Sequence, residues 1–217
     1  MLVRDRMSAP AVSIGPDTVF RDALKLMHHR RFRRLPVVDD RGRLVGIVSE
    51  RDLAYASPSH GPSLSVWDLN YLLSSVQIRE VMTTDLITTT GDTPVEDAAR
   101  TMADNKVGGL PVVDDKHRVV GVITETDIFK AFVEMFGGGH PGLRLTLQVP
   151  ERTAVLMELG TAIWDLGGRI VSIGSYSGDV SGSRGLVVKV RNVRKDAVID
   201  VLESLGEHVL DAREMKL

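Results

Sequence analysis

The segment RLPVVDDRGRLVGIVSERD (34–52) recurs as GLPVVDDKHRVVGVITETD (109–127). The register between the copies has no gap: Met7 and Met82, Pro36 and Pro111, Gly46 and Gly121, and Asp52 and Asp127 each lie 75 residues apart. A solenoid needs about three units to bury a continuous core, so two copies joined by a long connector point to a pair that covers each other's apolar faces. The 217 residues suffice for one large or two small domains with a sizeable core.

Each copy has the same grammar. Thr18 and Thr93 stand where helix N-caps are expected, and Pro94 and Glu96 follow the second at the first helical position and the capping-box position. Phe20, Ala23, Leu24 and Met27, and in the second copy Val95, Ala98, Ala99 and Met102, recur at the spacing of one helical face. Two short β-rich runs then follow, Leu35 to Val38 and Leu44 to Val48, joined by the turn-forming Asp39-Asp40-Arg41-Gly42. A second helix is expected after Ser49 and after Thr124.

Between the copies, SPSHGPS (57–63) reads as loop, and Val66, Leu69, Leu72, Leu73 and Val76 place an amphipathic helical insert over 64–76. The paired copies occupy 1–136, and the Gly-rich FGGGHPG stretch makes 137–142 a linker. From Leu143 the period changes. Leu143, Leu145, Leu147 and Val149 alternate with polar residues as a half-buried strand does, and Val155, Leu159, Ala162, Ile163 and Leu166 form a helical stripe ending at Gly167-Gly168. Two apolar runs (170–173 and 186–190), another helical stripe (Val198, Val201, Leu202, Leu205) and a terminal strand over 208–217 complete a βαββαβ order over 143–217, the ferredoxin-like arrangement.

Charge and composition narrow the partners. Lys and Arg total 27 against 29 Asp and Glu, a formal charge of −2, so no global field favours nucleic acid or an anionic membrane. There is no Cys, hence no disulfide and no thiolate chemistry. The opening MLVRDRMSAP lacks the apolar stretch of a signal peptide, and no apolar run is long enough to span a bilayer, which leads to an expectation of a cytoplasmic protein. The six His have no metal-ligand spacing, no Ser lies in G-x-S-x-G, and GGGHPG (137–142) has Pro141 where a phosphate-binding loop would open a helix, so nothing argues for an enzyme or a required cofactor.

Three motifs carry more than one reading. In Gly-Ile-Val-Ser-Glu-Arg-Asp (46–52) and Gly-Val-Ile-Thr-Glu-Thr-Asp (121–127), a hydroxyl residue followed three positions later by an acid makes a capping box at a strand-to-helix junction. The same geometry sets a hydroxyl beside free helix N–H groups for a phosphate, and a carboxylate one turn on for two ribose hydroxyls. The basic run His28 to Arg34 reads as a solvated helix end, as a cation source for ligand phosphates, or as a nucleic-acid contact, the last disfavoured by net charge. At the 75-residue offset, Arg30 to Arg34 become Asn105-Lys106-Val107-Gly108-Gly109, so the halves are expected to differ in local charge. Asp39-Asp40 and Asp114-Asp115 read as turn residues.

Taken together, the Met-Ser or Met-Thr segment, the helix, Leu-Pro-Val-Val-Asp and Gly-x-x-(Ser/Thr)-x-x-Asp resemble cystathionine-β-synthase (CBS) repeats over 7–56 and 82–132. The resemblance implies an α/β module of two repeats, with clefts that take adenosine compounds such as AMP, ADP, ATP or S-adenosylmethionine. It implies that Ser49 and Thr124 face phosphate and Asp52 and Asp127 face ribose. Arg34, Leu35, Gly109 and Leu110 would line the base, and Ser8 and Thr83 would close the clefts. Residues 143–217 resemble an ACT domain, although its Asp-x-Pro-Gly turn reads Glu151-Arg152-Thr153-Ala154 here, and the Asn after the Gly pair is Arg169. Without that Gly the backbone cannot approach a small ligand closely, which favours dimerisation over amino-acid sensing. A CBS pair followed by an ACT-like domain resembles the acetoin-utilisation accessory family. The expectation is a homodimeric, nucleotide-responsive regulator of some further protein, with a ligand-free dimerising scaffold and an amino-acid sensor as rival readings.

Overall fold

The computed structural model describes residues 1–52, 75–177 and 182–216, in two compact units, Met1–Ile128 and Phe129–Leu217. The insert expected over 64–76 lies outside the described residues except for Ser75 and Val76.

In the first unit the repeats form α1 (Phe20–Arg30), β1 (Arg34–Val38) and β2 (Leu44–Ser49), then α2 (Val95–Asn105), β3 (Gly109–Val113) and β4 (Val119–Thr124), and α3 (Glu125–Met135) begins there and continues past Ile128 into the second. The apolar faces behave as their period demands. Phe20, Ala23 and Met27 pack on Leu35, Val37 and Val48, while Ala98 and Met102 pack on Leu110, Val112 and Ile123. Each strand pair is an antiparallel hairpin with its register slip at the equivalent place, Val37/Val38 and Val112/Val113. At the hairpin tips, Asp39 Oδ1 accepts from the backbone N–H of Arg41 and Arg43 at 2.9 and 2.8 Å, and Asp114 Oδ1 accepts from Lys116 and Arg118, both at 2.9 Å. These aspartates are turn-formers, as their short acceptor side chains suit them to be.

The repeats exchange their leading segments. Val3 lies in the core of the second repeat and Ile78 in that of the first. The Met7 side chain occupies the space above Gly121, and Met82 that above Gly46. Ser8 and Val122 trade backbone hydrogen bonds of 2.9 and 3.1 Å, and Ile47 and Thr83 trade bonds of 3.0 and 2.9 Å. Each hairpin therefore gains an edge partner from the other repeat, which satisfies backbone groups it could not satisfy alone.

This exchange also corrects the expected helix starts. Val19 and Pro94, not Thr18 and Thr93, are the N-caps, and neither helix has a side-chain cap. The Phe20 N–H donates instead to Val76 O at 2.9 Å and the Val95 N–H to Met1 O at 3.1 Å. A backbone carbonyl from the neighbouring leader does the work expected of a threonine hydroxyl.

The second unit holds β5 (Gly142–Pro150), α4 (Val155–Asp165), β6 (Arg169–Ser177), β7 (Ser183–Arg191), α5 (Lys195–Ser204) and β8 (His208–Met215). Its sheet runs β6-β7-β5-β8, antiparallel throughout. Leu145, Leu147 and Val188 on the sheet pack with Leu159, Ile163, Val198 and Leu202 on the two helices. The Gly-rich stretch is folded rather than a free tether. The N–H groups of Gly137 and Gly138 return to Glu134 O and Val133 O, Lys189 Nζ donates to Gly137 O at 2.7 Å, and the Phe136 ring fills the space above Gly174.

Candidate functional site: two equivalent clefts

Two cavities open in the first unit, of about 360 and 540 Å³. Ser8, Arg31, Phe32, Arg33, Thr124 and Asp127 line the first, and Thr83, Lys106, Val107, Gly108, Ser49 and Asp52 line the second. In that order the two sets stand 75 residues apart, member by member. Each cleft combines a hydroxyl–carboxylate pair from one repeat with the closing hydroxyl and pre-strand segment of the other. The exchange of leading segments is what brings these together.

Within each pair the geometry is local and tight. The Ser49 N–H and hydroxyl donate to Asp52 Oδ2 at 2.8 and 2.7 Å, and the Asp52 N–H donates back to Ser49 Oγ at 3.2 Å. Thr124 donates to Asp127 Oδ2 from its N–H at 2.9 Å and its hydroxyl at 2.7 Å. The capping interaction is thus real, and it uses one carboxylate oxygen. The other, Oδ1, makes no hydrogen bond to a described residue in either pair.

The basic run divides between two of its expected roles. His28, His29 and Arg30 end α1 on its exposed side, where cations oppose the helix dipole. Arg31 then takes a left-handed conformation at φ 57°, matched by Lys106 at φ 54°, and turns the chain into the clefts. The expected difference in charge persists in reduced form, because Arg33 and Arg34 reach both cavities. The first cleft sets Arg31, Arg33 and Arg34 against Glu125 and Asp127. In the second, Arg33, Arg34, Arg51 and Lys106 balance Glu50, Asp52, Asp85 and Glu125.

Three residues expected at the base position are not cleft-lining. Leu35 and Leu110 are fully buried in the cores of their own repeats, because strand alternation turns them to the helix side. Gly109 is covered by the Arg34 guanidinium, which also lies over Gly108. Burial pushes that guanidinium below its ordinary value, with Glu125 the main opposing influence, Arg33 acting with burial and Asp52 against it. Phe32, Gly108 and Glu125 are cleft residues that motif matching missed. The offset could have found Gly108 as the partner of Arg33, whereas Glu125 required the packing. Among the described residues, no group of three or more His, Asp or Glu could hold a metal ion, and no helix is long and apolar enough to cross a membrane.

Fold and clefts together define a tandem-repeat α/β protein with a pair of pseudo-equivalent sites between its repeats. The chain belongs to the CBS-domain family, whose model matches residues 3–59 and 78–134. It is 34% identical over 131 residues to the L-aspartate semialdehyde sulfurtransferase of Methanocaldococcus jannaschii, covering 60% of this chain and 23% of that protein. Among solved structures, the CBS pair of protein MJ0100 in complex with 5′-methylthioadenosine and S-adenosylmethionine matches at 34% identity and TM-score 0.52, covering 62% of this chain and 97% of that one. CBSX2 in complex with AMP matches at 29% and 0.54, with coverage of 62% and 97%. A Vibrio cholerae structure described as acetoin utilization protein AcuB matches at 29% and 0.54, covering 63% of this chain and 93% of that chain.

Proposed function

We propose that this chain is a non-enzymatic regulatory protein of the cytoplasm that senses an adenosine compound, AMP, ADP, ATP or S-adenosylmethionine, through its two clefts. The carrying observation is the twofold repetition of one construction, a hydroxyl–carboxylate pair facing a hydroxyl and a cation from the other repeat. Solved relatives holding AMP, S-adenosylmethionine and methylthioadenosine support the ligand class. Asp52 and Asp127 would receive ribose hydroxyls on Oδ1, Ser49 and Thr124 would meet phosphate, and Ser8 and Thr83 would close over the ligand. A ligand that fits one arrangement of the repeats better than another shifts the population toward it, which is the signal a partner protein would read.

The βαββαβ unit resembles an ACT domain in element order, and we assign it to homodimerisation rather than to amino-acid sensing. Ala154 stands where close backbone approach to a ligand needs Gly, and Thr153 stands at the Pro before it. Ile173 and Tyr176 are exposed on β6, an edge strand of the sheet.

Thermal unfolding with each of the four ligands tests the reading. At a hundredfold excess over Kd a ligand adds ~2.7 kcal/mol, and at ~2–4 °C per kcal/mol the midpoint should rise by several degrees. Flat midpoints across all four, with calorimetry also silent, would favour the ligand-free scaffold.

A further inference from the structure

The equivalence of the clefts breaks at two adjacent positions, where Arg33 stands against Gly108 and Arg34 against Gly109, and the second of these is the consequential one. Arg34 corresponds to Gly109, so the first repeat places a guanidinium where the second has no side chain. That guanidinium spreads over Gly108 and Gly109 and lines both cavities. A symmetric second copy would need the space that Arg34 already fills. Arg33 also borders both clefts, but it is exposed and screened by water, whereas Arg34 is half-buried and its charge acts at fuller strength.

We propose that anionic ligands in the two clefts compete for Arg34, so that filling one cleft weakens the other. This rests on the nucleotide reading above and adds a coupling to it. A guanidinium fork meets one phosphate with full bidentate geometry, and turning toward one cleft withdraws donors from its neighbour. Repulsion between two phosphates flanking one cation acts in the same direction. Because coupling is reciprocal, either cleft filled first should penalise the other by the same factor.

Calorimetric titration of AMP tests the proposal on the parent, on Asp52→Ala and Asp127→Ala, each with its own cleft weakened at least roughly tenfold and left empty at AMP concentrations that fill the other, and on all three with Arg34→Gly or, as a milder change, Arg34→Gln. The parent should bind in two steps. The single-cleft variant that retains the weaker cleft should bind AMP about tenfold more tightly than the parent's second step, within the ~5–150-fold range typical of coupled sites. With Arg34 replaced, that discrepancy should fall to about twofold or less. A second step that matches the single-cleft affinity while Arg34 is intact overturns the coupling and leaves the nucleotide reading standing. Absence of binding of AMP, ADP, ATP and S-adenosylmethionine alike to the parent overturns both.

Discussion

At the residue scale, the aspartates show how one side-chain type serves two ends. Asp39 and Asp114 hold hairpin tips, and the Arg118 side chain and backbone N–H hold the Asp114 carboxyl down to about 2, from an ordinary 3.8. A carboxyl lowered by folding contributes stability above its unfolded value and loses it as pH falls through the folded one. Asp114→Asn should therefore flatten the acid limb of stability between about pH 4 and about pH 2, read from urea midpoints across that range. Identical pH slopes in parent and variant would contradict the assignment. Asp52 and Asp127 are legible as caps or as ligand acceptors, and the structure contains the capping bond on Oδ2 while Oδ1 accepts from no described residue. The Leu35 and Leu110 side chains, expected at the base, lie in the repeat cores, because adjacency to a cleft-lining residue says nothing about which face of a strand a side chain takes.

At the element scale, hydrophobic period and turn chemistry are enough to read the described helices and hairpins, since both are local, while the helix expected after Ser49 lies outside the described residues beyond Asp52. The helix starts were not legible, because the acceptors at Val76 O and Met1 O come from distant segments. The same exchange hides Met7 over Gly121 and Met82 over Gly46. A substitution Gly121→Ala, which drives a Cβ into the Met7 side chain, should cost ~1–3 kcal/mol in chemical denaturation. A loss of less than a few tenths would show that the methionine yields freely. The hairpin turns offer a test of opposite sign. Gly42 sits at φ 74° and its counterpart His117 at φ 59°. A left-handed non-glycine residue costs ~1–2 kcal/mol, partly offset by the ~0.5–1 kcal/mol entropy of an added Gly. His117→Gly should thus stabilise by roughly 0.5–1 kcal/mol, and a destabilised variant would mean that the imidazole makes a compensating contact.

At the scale of the whole molecule, the ungapped 75-residue repeat made a paired architecture legible, while the placement of Arg34 between the clefts needed the packing of both repeats. The four-stranded sheet leaves β6 and β8 as edges, with Ile173, Tyr176 and Leu210 exposed on them. Pairing between two copies would remove such an edge, so light scattering at micromolar concentration should return a dimeric mass, and a monomeric mass would refute the dimer. The proposed nucleotide binding runs through the same aspartates that cap the following helices. Its most direct measurement is AMP affinity in Asp52→Ala and Asp127→Ala beside their unfolding free energies. A carboxylate that receives ribose hydroxyls contributes ~1.5–3 kcal/mol per charge-assisted bond, so each variant should lose at least roughly tenfold in affinity at its own cleft, along with ~1 kcal/mol of stability from the lost cap. The same loss of stability with AMP affinity unchanged at both clefts would mean that the aspartates are caps and nothing more.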